Sequence, residues 1–570
     1  MEEQAPATPE TPRFLRVLAR YRYGLLALVC VALWLPGVVS LPALDRDESR
    51  FAQSSRQMLD SGNYVDIRFG QVPRYKKPVG IYWLQAAATA AAGLGDHSHI
   101  WTYRLPSLLG GIIAVWLTAW CGGVFGAEAG FLAGLLMAAS VLLTAEATIA
   151  TTDAALLACI MGMQGVLLRI YRAARDGAAS PSIRMVLGGW AAMAAGILLK
   201  GPVAPAVAGV TLIALCGWDR QYKWLAALKP LQGVAVTLLL VAPWLVAISL
   251  ESHGAFLQQS LGGDFAAKVA GGQESHGALP GYFLILSALT FWPAILFILP
   301  GIGLGISRRA EPGIRFLIAW AGAWWLVVEA VPTKLPHYVL PAYPALAILA
   351  ALWLLAPKET ATGWRRWLPM VASLQFLIGL VVMTAAPMLL PRHFGGGDAG
   401  VPALACEGVA AVCGLTALGL FVFHKRLLAL VPALLAALVI IPALTAVTGP
   451  VLTQLWISPR LAALVAKDRQ PSDPPPMLAG YEEPSLVFAL GADTILSDGR
   501  GAAELGANAG GLALVQDDER PAFLARLAEL EANAAAVDDL SGFNYSRGRA
   551  VHITLYRIAP ARAVTAPLAH

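Results

Sequence analysis

Apolar stretches of about twenty residues recur along most of the chain, separated by short polar segments. A helix of about twenty residues spans the hydrocarbon core of a bilayer, and its backbone polar groups are all satisfied internally. Fourteen apolar runs begin near residues 23, 79, 105, 127, 154, 184, 201, 228, 281, 316, 338, 367, 401 and 427. The pattern therefore predicts an all-α polytopic membrane protein.

The basic residues of the loops test this count, because Lys and Arg accumulate on the cytoplasmic side of a membrane protein. Four arginines precede the first apolar run, so the N-terminus is predicted to be cytoplasmic. If all fourteen runs span the membrane, five basic loops fall outside. These loops contain Arg169, Arg172, Arg175 and Arg184; Arg220 and Lys223; Arg308, Arg309 and Arg315; Lys358, Arg365 and Arg366; and Lys425 and Arg426.

Removing one early crossing returns all five loops to the cytoplasm. The run to remove is 79–95, "VGIYWLQAAATAAAGLG", which is short, rich in Ala and Gly, and contains Gln85. We therefore predict thirteen crossings, a helix lying at the interface over 79–95, and a C-terminus outside. The segment 45–78 then lies outside with seven Lys or Arg residues, which favours binding of an anionic ligand there.

Composition supports the membrane assignment and narrows the function. The chain of 570 residues is 57% hydrophobic and only 14% charged, against about 25% in soluble domains. The net charge of +5 is spread over many loops and does not indicate nucleic-acid binding. All six cysteines lie in apolar segments without a CxxC pair, so we interpret them as packing residues.

The first outer loop begins with a dense charge cluster, "LDRDESRFAQ". Asp45 and Glu48 have the D-x-x-E spacing of a helix N-terminal cap, and "DSG" ends the same segment at Gly62. The pattern therefore predicts a surface helix over "DRDESRFAQSSRQMLDSG", whether or not its charged residues are catalytic.

The chain changes character after about residue 450. "KDRQPSDPPPM" is a polar, proline-rich linker, and "SLVFAL" and "VHITLYRI" are predicted to form strands. "RPAFLARLAELEANAAA" is predicted to form an amphipathic helix, because Phe523, Leu524, Leu527 and Leu530 follow helical spacing. We expect a small α/β domain of about 100 residues outside the membrane, acting as a structural or docking lid.

The predicted topology collects several ionisable and aromatic residues on the outer face, where unpaired charges are costly unless they are functional. The candidates are Asp47, Glu48, Arg50, Arg74, Tyr75, Lys76, Lys77, Tyr82, Asp153, Lys200, Lys268, His276, Lys334, His337 and Tyr338. Structural roles remain open for five of them. Asp47 and Asp153 could cap helices, Lys200 could snorkel to the headgroups, and His337 and Tyr338 could be interfacial anchors.

Carboxylates and cations facing one outer cavity suit the transfer of a sugar from a lipid phosphate. A carboxylate can orient or deprotonate the acceptor, and Lys or Arg can stabilise the leaving phosphate. A lipid-linked donor is expected because nucleotide sugars are cytoplasmic. The alternative is a transporter or flippase for an anionic polyprenyl lipid. Such proteins usually have internal repeats, which we do not find between the two halves.

The order "DESRFA…RYKKPVGIYW…TTDAALL…LLKGP…TKLPHYVLPAYPALA" resembles the bacterial aminoarabinose transferases that modify lipid A. It is similar more widely to the protein O-mannosyltransferase relatives with the GT-C fold. The resemblance implies a GT-C fold with thirteen crossings, juxtamembrane helices in the first outer loop, and a small periplasmic α/β domain at the C-terminus.

The resemblance also implies roles for six residues. The family's essential first-loop Asp falls on Asp47 and its second Asp on Asp153. Its other site residues fall on Arg50, Lys77, Lys268 and Tyr338. One departure is Lys76, which replaces the family's Glu. This exchange of an acid for a base disfavours an amine-bearing sugar and favours a neutral hexose or an acidic sugar such as a uronic acid.

We therefore predict an inverting GT-C glycosyltransferase of a bacterial inner membrane, with a polyprenyl-phosphate sugar as donor and lipid A or another envelope lipid or glycan as acceptor. No cofactor is assigned, and a divalent metal is left open. Asp47 and Asp153 are the catalytic candidates. Donor phosphate and lipid are assigned to Arg50, Lys77, Lys200, Lys268, Lys334 and Tyr338. Substrate contacts are assigned to Glu48, Arg74, Tyr75, Lys76, Tyr82, His276 and His337.

Four segments complete this prediction. Residues 1–22 form a cytoplasmic segment and residues 23–450 the transmembrane domain. Within that domain, residues 44–104 form the first periplasmic loop. Residues 451–570 form the periplasmic α/β domain.

Overall fold

The computed structural model describes residues 12–260, 279–357, 362–395, 397 and 400–560. Two predicted site residues, Lys268 and His276, lie outside the described residues. The α-helices of seven or more residues among those described are α1 (Arg13–Arg20), α2 (Arg22–Ser40), α3 (Asp47–Ser61), α4 (Gly80–Ala92), α5 (Ile100–Gly122), α6 (Ala127–Ala138), α7 (Val141–Thr148), α8 (Asp153–Asp176), α9 (Ile183–Lys200), α10 (Val203–Asp219), α11 (Pro230–Glu251), α12 (Tyr282–Thr290), α13 (Ile295–Ser307), α14 (Pro312–Ala330), α15 (Tyr343–Leu355), α16 (Leu368–Phe394), α17 (Gly400–Val422), α18 (Arg426–Pro442), α19 (Ile457–Asp468), α20 (Pro484–Leu490), α21 (Gly499–Ala509) and α22 (Arg520–Glu529).

The helices before residue 452 form a multi-pass membrane architecture, as predicted. Among the described residues, ten helical segments are long and apolar enough to cross a membrane. The number is eleven if α6 and α7, which are bent by 65°, form one span. The prediction of thirteen crossings is not confirmed. The shorter apolar helices α10 and α13 have 17 and 13 residues, which reach about 26 and 20 Å across a core of about 30 Å.

The two ends of the helical bundle carry different parts of the structure. Helix α8 runs from Asp153 at one end to Asp176 at the other, and its 24 residues span about 36 Å. At the Asp176 end, Asp219 pairs with Arg175 at 2.9 Å and with Arg315. The Asp153 end carries the first loop and the C-terminal sheet.

The first loop packs on the Asp153 end of the bundle. It contains α3, a two-residue hairpin of β1 (Arg68–Phe69) and β2 (Val72–Pro73), and α4. A buried cluster that includes Phe51, Tyr82, Leu199 and Trp244 joins it to α9 and α11. Helix α4 has 13 residues and is too short to span a membrane, so 79–95 contains a helix but not a crossing. Its position at the interface stays a prediction.

The surface helix predicted in this loop is present, but its start differs. It ends at Gly62, which adopts the left-handed conformation expected of a C-terminal glycine. The capping role predicted for Asp45 is wrong. The helix begins at Asp47, Arg46 occupies the N-cap position with φ 63°, and the Asp45 carboxylate accepts a hydrogen bond from the Ser485 hydroxyl.

The C-terminal domain is a five-stranded mixed sheet covered by helices on both faces. Its strands are β3 (Met477–Ala479), β4 (Ile495–Ser497), β5 (Gly511–Gln516), β6 (Asn533–Asn544) and β7 (Arg549–Ala559), in the spatial order β4-β3-β5-β7-β6. Strand β3 pairs in parallel with β4 and β5, and β7 pairs antiparallel with β5 and β6. Leu478 and Leu514 face one apolar core, whereas Met477 and Ala513 face the other. The small α/β domain predicted for the tail is therefore present.

Within this domain, two of the three element predictions need correction. "VHITLYRI" lies in β7, as predicted, but "SLVFAL" lies in α20 and not in a strand. Pro484 occupies the first helical position, where its fixed φ favours a helix start. The helix predicted from Arg520 ends at Glu529, because the following alanines belong to β6. Phe523 and Leu527 are buried, whereas Leu524 is exposed.

The C-terminal domain docks on the first loop through hydrogen bonds between residues distant in the sequence. The Tyr545 hydroxyl accepts from the Asp45 backbone N–H at 2.6 Å. Arg46 donates to the Ser546 carbonyl at 2.5 Å, and Arg56 donates to the Phe488 carbonyl at 3.2 Å. The turn between β6 and β7 thereby holds the residues directly before α3, which begins at Asp47.

Candidate active site

A cavity of about 800 Å³ lies between α3, the turn after β2, the start of α8, the end of α9 and the segment before α15. It collects most of the predicted site residues from distant parts of the chain. Those that line it are Asp47, Arg50, Arg74, Tyr75, Lys76, Lys77, Asp153, Lys200, His337 and Tyr338. The topology argument therefore grouped these residues correctly on one face.

Asp153 and Lys200 form a close ion pair in the cavity wall. The Lys200 Nζ donates to the two carboxylate oxygens of Asp153 at 2.6 and 2.8 Å, and both side chains are nearly buried. Asp153 begins α8 and Lys200 ends α9, so each charge has the sign that its helix dipole favours. Gly201 has φ 62° and ends α9 directly after Lys200. Lys200 therefore points to a carboxylate and does not snorkel.

Asp47 has the most exposed carboxylate of this cavity among the described residues. Its side chain is 71% exposed, compared with 11% for Asp153 and 9% for Glu146. Its Oδ1 lies 3.9 Å from an Arg50 nitrogen and 3.8 Å from an Arg74 nitrogen. Two guanidinium groups therefore flank a carboxylate that remains accessible from the cavity.

The turn after β2 places several cations along the rim. Arg74 is buried, and its guanidinium lies 5.2 Å from the centre of the Phe51 ring. Lys77 is half-buried and Lys76 is exposed. The Tyr75 hydroxyl donates to Asp66 at 2.8 Å, and burial, with the Asp66 carboxylate, raises the pKa of Tyr75 to about 12. Tyr75 therefore stays protonated at neutral pH.

Glu146 also lines the cavity, and the sequence analysis did not select it. Its carboxylate accepts from the Thr151 hydroxyl at 2.9 Å and lies 3.7 Å from the His337 Nδ1. The available signal was an acidic residue inside the apolar run "VLLTAEATIATTD", since such a residue commonly marks a functional site. Arg46 and Gln259 are further lining residues that the sequence analysis left out.

Three predicted site residues do not line the cavity. Glu48 is buried and holds Arg104 through contacts of 2.7 and 2.9 Å. Tyr82 is fully buried against Phe51, with 5.5 Å between their ring centres. Lys334 is buried and donates to the carbonyls of Val328, Glu329 and Val331 near the end of α14. All three support neighbouring elements of the site from outside the cavity.

The described lining of the cavity has a surplus of positive charge. It contains six Lys or Arg side chains and three Asp or Glu side chains. A concave surface with one dominant sign of charge attracts ligands of the opposite sign. No group of three His, Cys, Asp or Glu residues that could hold a metal ion occurs in the described part of the chain. The arrangement suits an anionic ligand bound next to an accessible carboxylate.

Sequence comparisons find similarity between this chain and transferases of lipid-linked sugars. The profile of a family described as dolichyl-phosphate-mannose-protein mannosyltransferase matches residues 76–246. The undecaprenyl phosphate-alpha-4-amino-4-deoxy-L-arabinose arabinosyl transferase of Aeromonas salmonicida is 26% identical over 359 residues, which cover 61% of this chain and 63% of the relative. Its namesake from an Enterobacter strain is 27% identical over 382 residues, with 65% and 64% covered. The matched region thus spans slightly under two thirds of these relatives.

Solved structures agree over nearly the whole chain. ArnT from Cupriavidus metallidurans in the apo state superposes with a TM-score of 0.69 at 22% identity, covering 94% of this chain and 98% of that one. The same protein bound to undecaprenyl phosphate gives a TM-score of 0.68 at 21% identity, with 93% and 97% covered. The archaeal oligosaccharyltransferase AglB from Archaeoglobus fulgidus gives 0.51 at 12% identity, with 92% and 70% covered. The predicted resemblance to the bacterial aminoarabinose transferases and to the protein O-mannosyltransferases is confirmed, and the chain has the GT-C fold.

Proposed function

We propose that this protein is an inverting membrane glycosyltransferase that moves a sugar from a polyprenyl phosphate to lipid A or another envelope lipid or glycan. The observation that carries the proposal is the accessible Asp47 carboxylate, flanked by two arginines, in a cationic cavity at one end of the membrane helices. The similarity to undecaprenyl phosphate-dependent transferases points to the same class of donor.

The reaction is a single displacement at the anomeric carbon. The bond between that carbon and the phosphate oxygen breaks, and a bond to the acceptor oxygen forms on the opposite face. Asp47 takes the proton of a hydroxyl acceptor, or holds a phosphate acceptor through its flanking arginines. Lys77 and Arg50 stabilise the negative charge that develops on the leaving polyprenyl phosphate. Asp153 is held by Lys200 and orients the reactants from the cavity wall.

We infer that the cavity and the C-terminal domain lie in the periplasm and that the N-terminus lies in the cytoplasm of a bacterial inner membrane. The Arg175–Asp219–Arg315 cluster lies at the far end of the bundle from the cavity, where the positive-inside rule predicts the cytoplasm. Fusions of alkaline phosphatase and of green fluorescent protein to the C-terminus test this orientation. A fluorescent, phosphatase-negative C-terminus would contradict it.

Donor binding can be tested with the full-length protein in nanodiscs and undecaprenyl phosphate as the probe. Lys77→Ala should weaken binding by about tenfold or more, because charge-assisted hydrogen bonds contribute about 1.5–3 kcal/mol. Lys77→Arg should recover part of the affinity, because it retains the charge. Lys223→Ala is the matched control, since Lys223 is exposed after α10, at the end of that helix away from the cavity. If Lys77→Ala bound undecaprenyl phosphate as tightly as the wild type, Lys77 would not be a ligand of the donor phosphate.

The transfer reaction itself is tested by mass spectrometry of envelope lipids from a deletion strain and from the same strain complemented with the gene. A sugar that disappears on deletion and returns on complementation supports a transferase. A lipid-linked sugar that accumulates with its glycosidic bond intact on one side of the membrane would instead support a transporter or flippase.

A further inference from the structure

The carboxylates that line the cavity are already next to partners of the opposite or potentially opposite charge. Asp153 is paired with Lys200 at 2.6 Å, and Asp47 lies within 4 Å of two arginines. Glu146 lies 3.7 Å from His337. Among the described lining residues, no further carboxylate is left for Lys76.

Lys76 carries a positive charge that no described residue of the lining balances. Its side chain lines the cavity, is exposed, and forms no ion pair with any residue that the structure describes. It directly precedes Lys77 in the turn after β2, and both side chains line the cavity. The phosphate of a polyprenyl donor carries one centre of negative charge, which one lysine and its arginine neighbours already suffice to bind.

We propose that Lys76 forms a second anion-binding position in the cavity, which takes a carboxylate or phosphate of the substrates in addition to the phosphate of the donor. This inference rests on the proposed glycosyltransferase function. It adds that one of the substrates carries a second anionic group. An ammonium group at this position would lie beside Lys76 and Lys77, and like charges at short distance repel. The site therefore selects against an amine-bearing sugar.

The second anion has two sources, the transferred sugar or the acceptor. Binding of three donors to the full-length protein in nanodiscs distinguishes them. The probes are undecaprenyl phosphate linked to glucuronic acid, to glucose, and to 4-amino-4-deoxyarabinose. If the sugar supplies the anion, the wild type should bind the glucuronic acid donor about fivefold more tightly than the glucose donor, and the amine donor most weakly. Lys76→Glu should reverse this order.

If the acceptor supplies the anion, the three donors should bind the wild type equally well. Lys76→Gln should then weaken binding of bisphosphorylated lipid A by about fivefold and leave binding of dephosphorylated lipid A unchanged. Lys467→Glu is the control for both series, because Lys467 is an exposed lysine of the C-terminal domain far from the cavity lining.

The inference is overturned if the wild type prefers the amine donor. It is also overturned if Lys76→Glu leaves the donor order unchanged and Lys76→Gln leaves the binding of both lipid A forms unchanged. Failure of the proposed function has a different signature, which is the loss of any Lys77-dependent binding of undecaprenyl phosphate. The comparison of the two lipid A forms tests Lys76 even then, because it does not use the donor. Thermal unfolding of each variant confirms that the full-length fold is retained.

Discussion

Asp47 combines accessibility with a fixed position. It lies in the first turn of α3, where its negative charge is favourable, and its carboxylate is open to the cavity. We predict that Asp47→Asn lowers turnover by about 10²–10⁴-fold, the usual contribution of a general base. Folding should change little, because Asn keeps the size of the side chain and its ability to accept hydrogen bonds at a helix start.

Turnover and thermal unfolding of the purified variant check this prediction. Asp45→Asn is the control, two positions away, since the Asp45 carboxylate faces Ser485 of the C-terminal domain and not the cavity. Normal turnover in Asp47→Asn, or a loss that follows Asp45→Asn instead, would make Asp153 the better candidate for the base.

The Asp153–Lys200 pair allows stability and activity to be separated. Removing one partner leaves a nearly buried charge uncompensated, so Asp153→Asn or Lys200→Met alone should cost about 3 kcal/mol of unfolding free energy. The double variant removes both charges and should recover most of that stability. Its turnover should stay low if the pair orients the reactants. A double variant with wild-type turnover would reduce the pair to a packing role.

For single residues, the sequence predicted which of them line the cavity better than it predicted which residues they contact. Asp47, Asp153 and Lys200 were selected because the predicted topology places them on the outer face, and all three line the cavity. Glu48 was selected for the same reason but is buried against Arg104, because helical periodicity places it on the inner face of α3. A partner 56 positions away cannot be inferred from the spacing of charges in one loop.

The Glu48–Arg104 pair joins three elements beneath the cavity. Arg104 of α5 also donates to the carbonyls of Val38, Leu41 and Pro42 at the end of α2. Glu48 accepts in addition from the backbone N–H groups of Leu44 and Ala150. This single buried network satisfies the backbone groups on both sides of the first loop and sets the orientation of α3.

We predict that Arg104→Lys destabilises the protein by about 3 kcal/mol. Lysine cannot reproduce the planar fork that contacts Glu48 and three carbonyls together, so a buried charge is left poorly paired. Thermal unfolding of the full-length protein measures the effect. Arg500→Lys on the exposed surface of the C-terminal domain is the control and should have almost no effect. Equal stability of the two variants would show that the network does not hold the loop.

Helices of the membrane region were the most predictable elements, because a long apolar run has only one stable backbone form in a bilayer. The secondary structure of the short apolar runs in the tail could not be predicted in the same way. "SLVFAL" and "VHITLYRI" are both apolar, but Pro484 starts a helix in the first and the second alternates across a sheet. Tertiary pairing decides such cases, and the pairing of β7 with β5 and β6 is not visible in local sequence.

The interface between the first loop and the C-terminal domain introduces a pH dependence for the whole molecule. Burial raises the pKa of the Asp45 carboxyl from 3.8 to about 6, and the nearby Glu483 carboxylate acts in the same direction. The folded state therefore binds this proton more tightly than the unfolded state does. Stability should be greatest below pH 4 as far as this group is concerned, and should be lost as the pH rises through about 6.

We predict that the wild type loses up to about 3 kcal/mol of unfolding free energy from this group between pH 4 and pH 7. Asp45→Asn cannot ionise and still accepts from Ser485, so it should be more stable than the wild type at pH 7 and equal to it near pH 4. Melting temperatures of both proteins across this range check the prediction, because the difference between the two proteins isolates Asp45 from the other titrating groups. The prediction would be contradicted if the melting temperatures of the two proteins changed in parallel with pH.

The contacts of Asp45, Arg46 and Asp47 determine how late in synthesis the position of Asp47 can be fixed. The first two hold the C-terminal domain, and the third faces the cavity. The hydrogen bond between Asp45 and Tyr545 joins positions 500 residues apart. At about 5–20 residues per second, a ribosome needs about 25–100 seconds to make that length of chain. A nascent chain that has already inserted its first helices therefore lacks this support for Asp47 until residue 545 has been made. The position of Asp47 is completed late in synthesis, after the membrane helices that surround it.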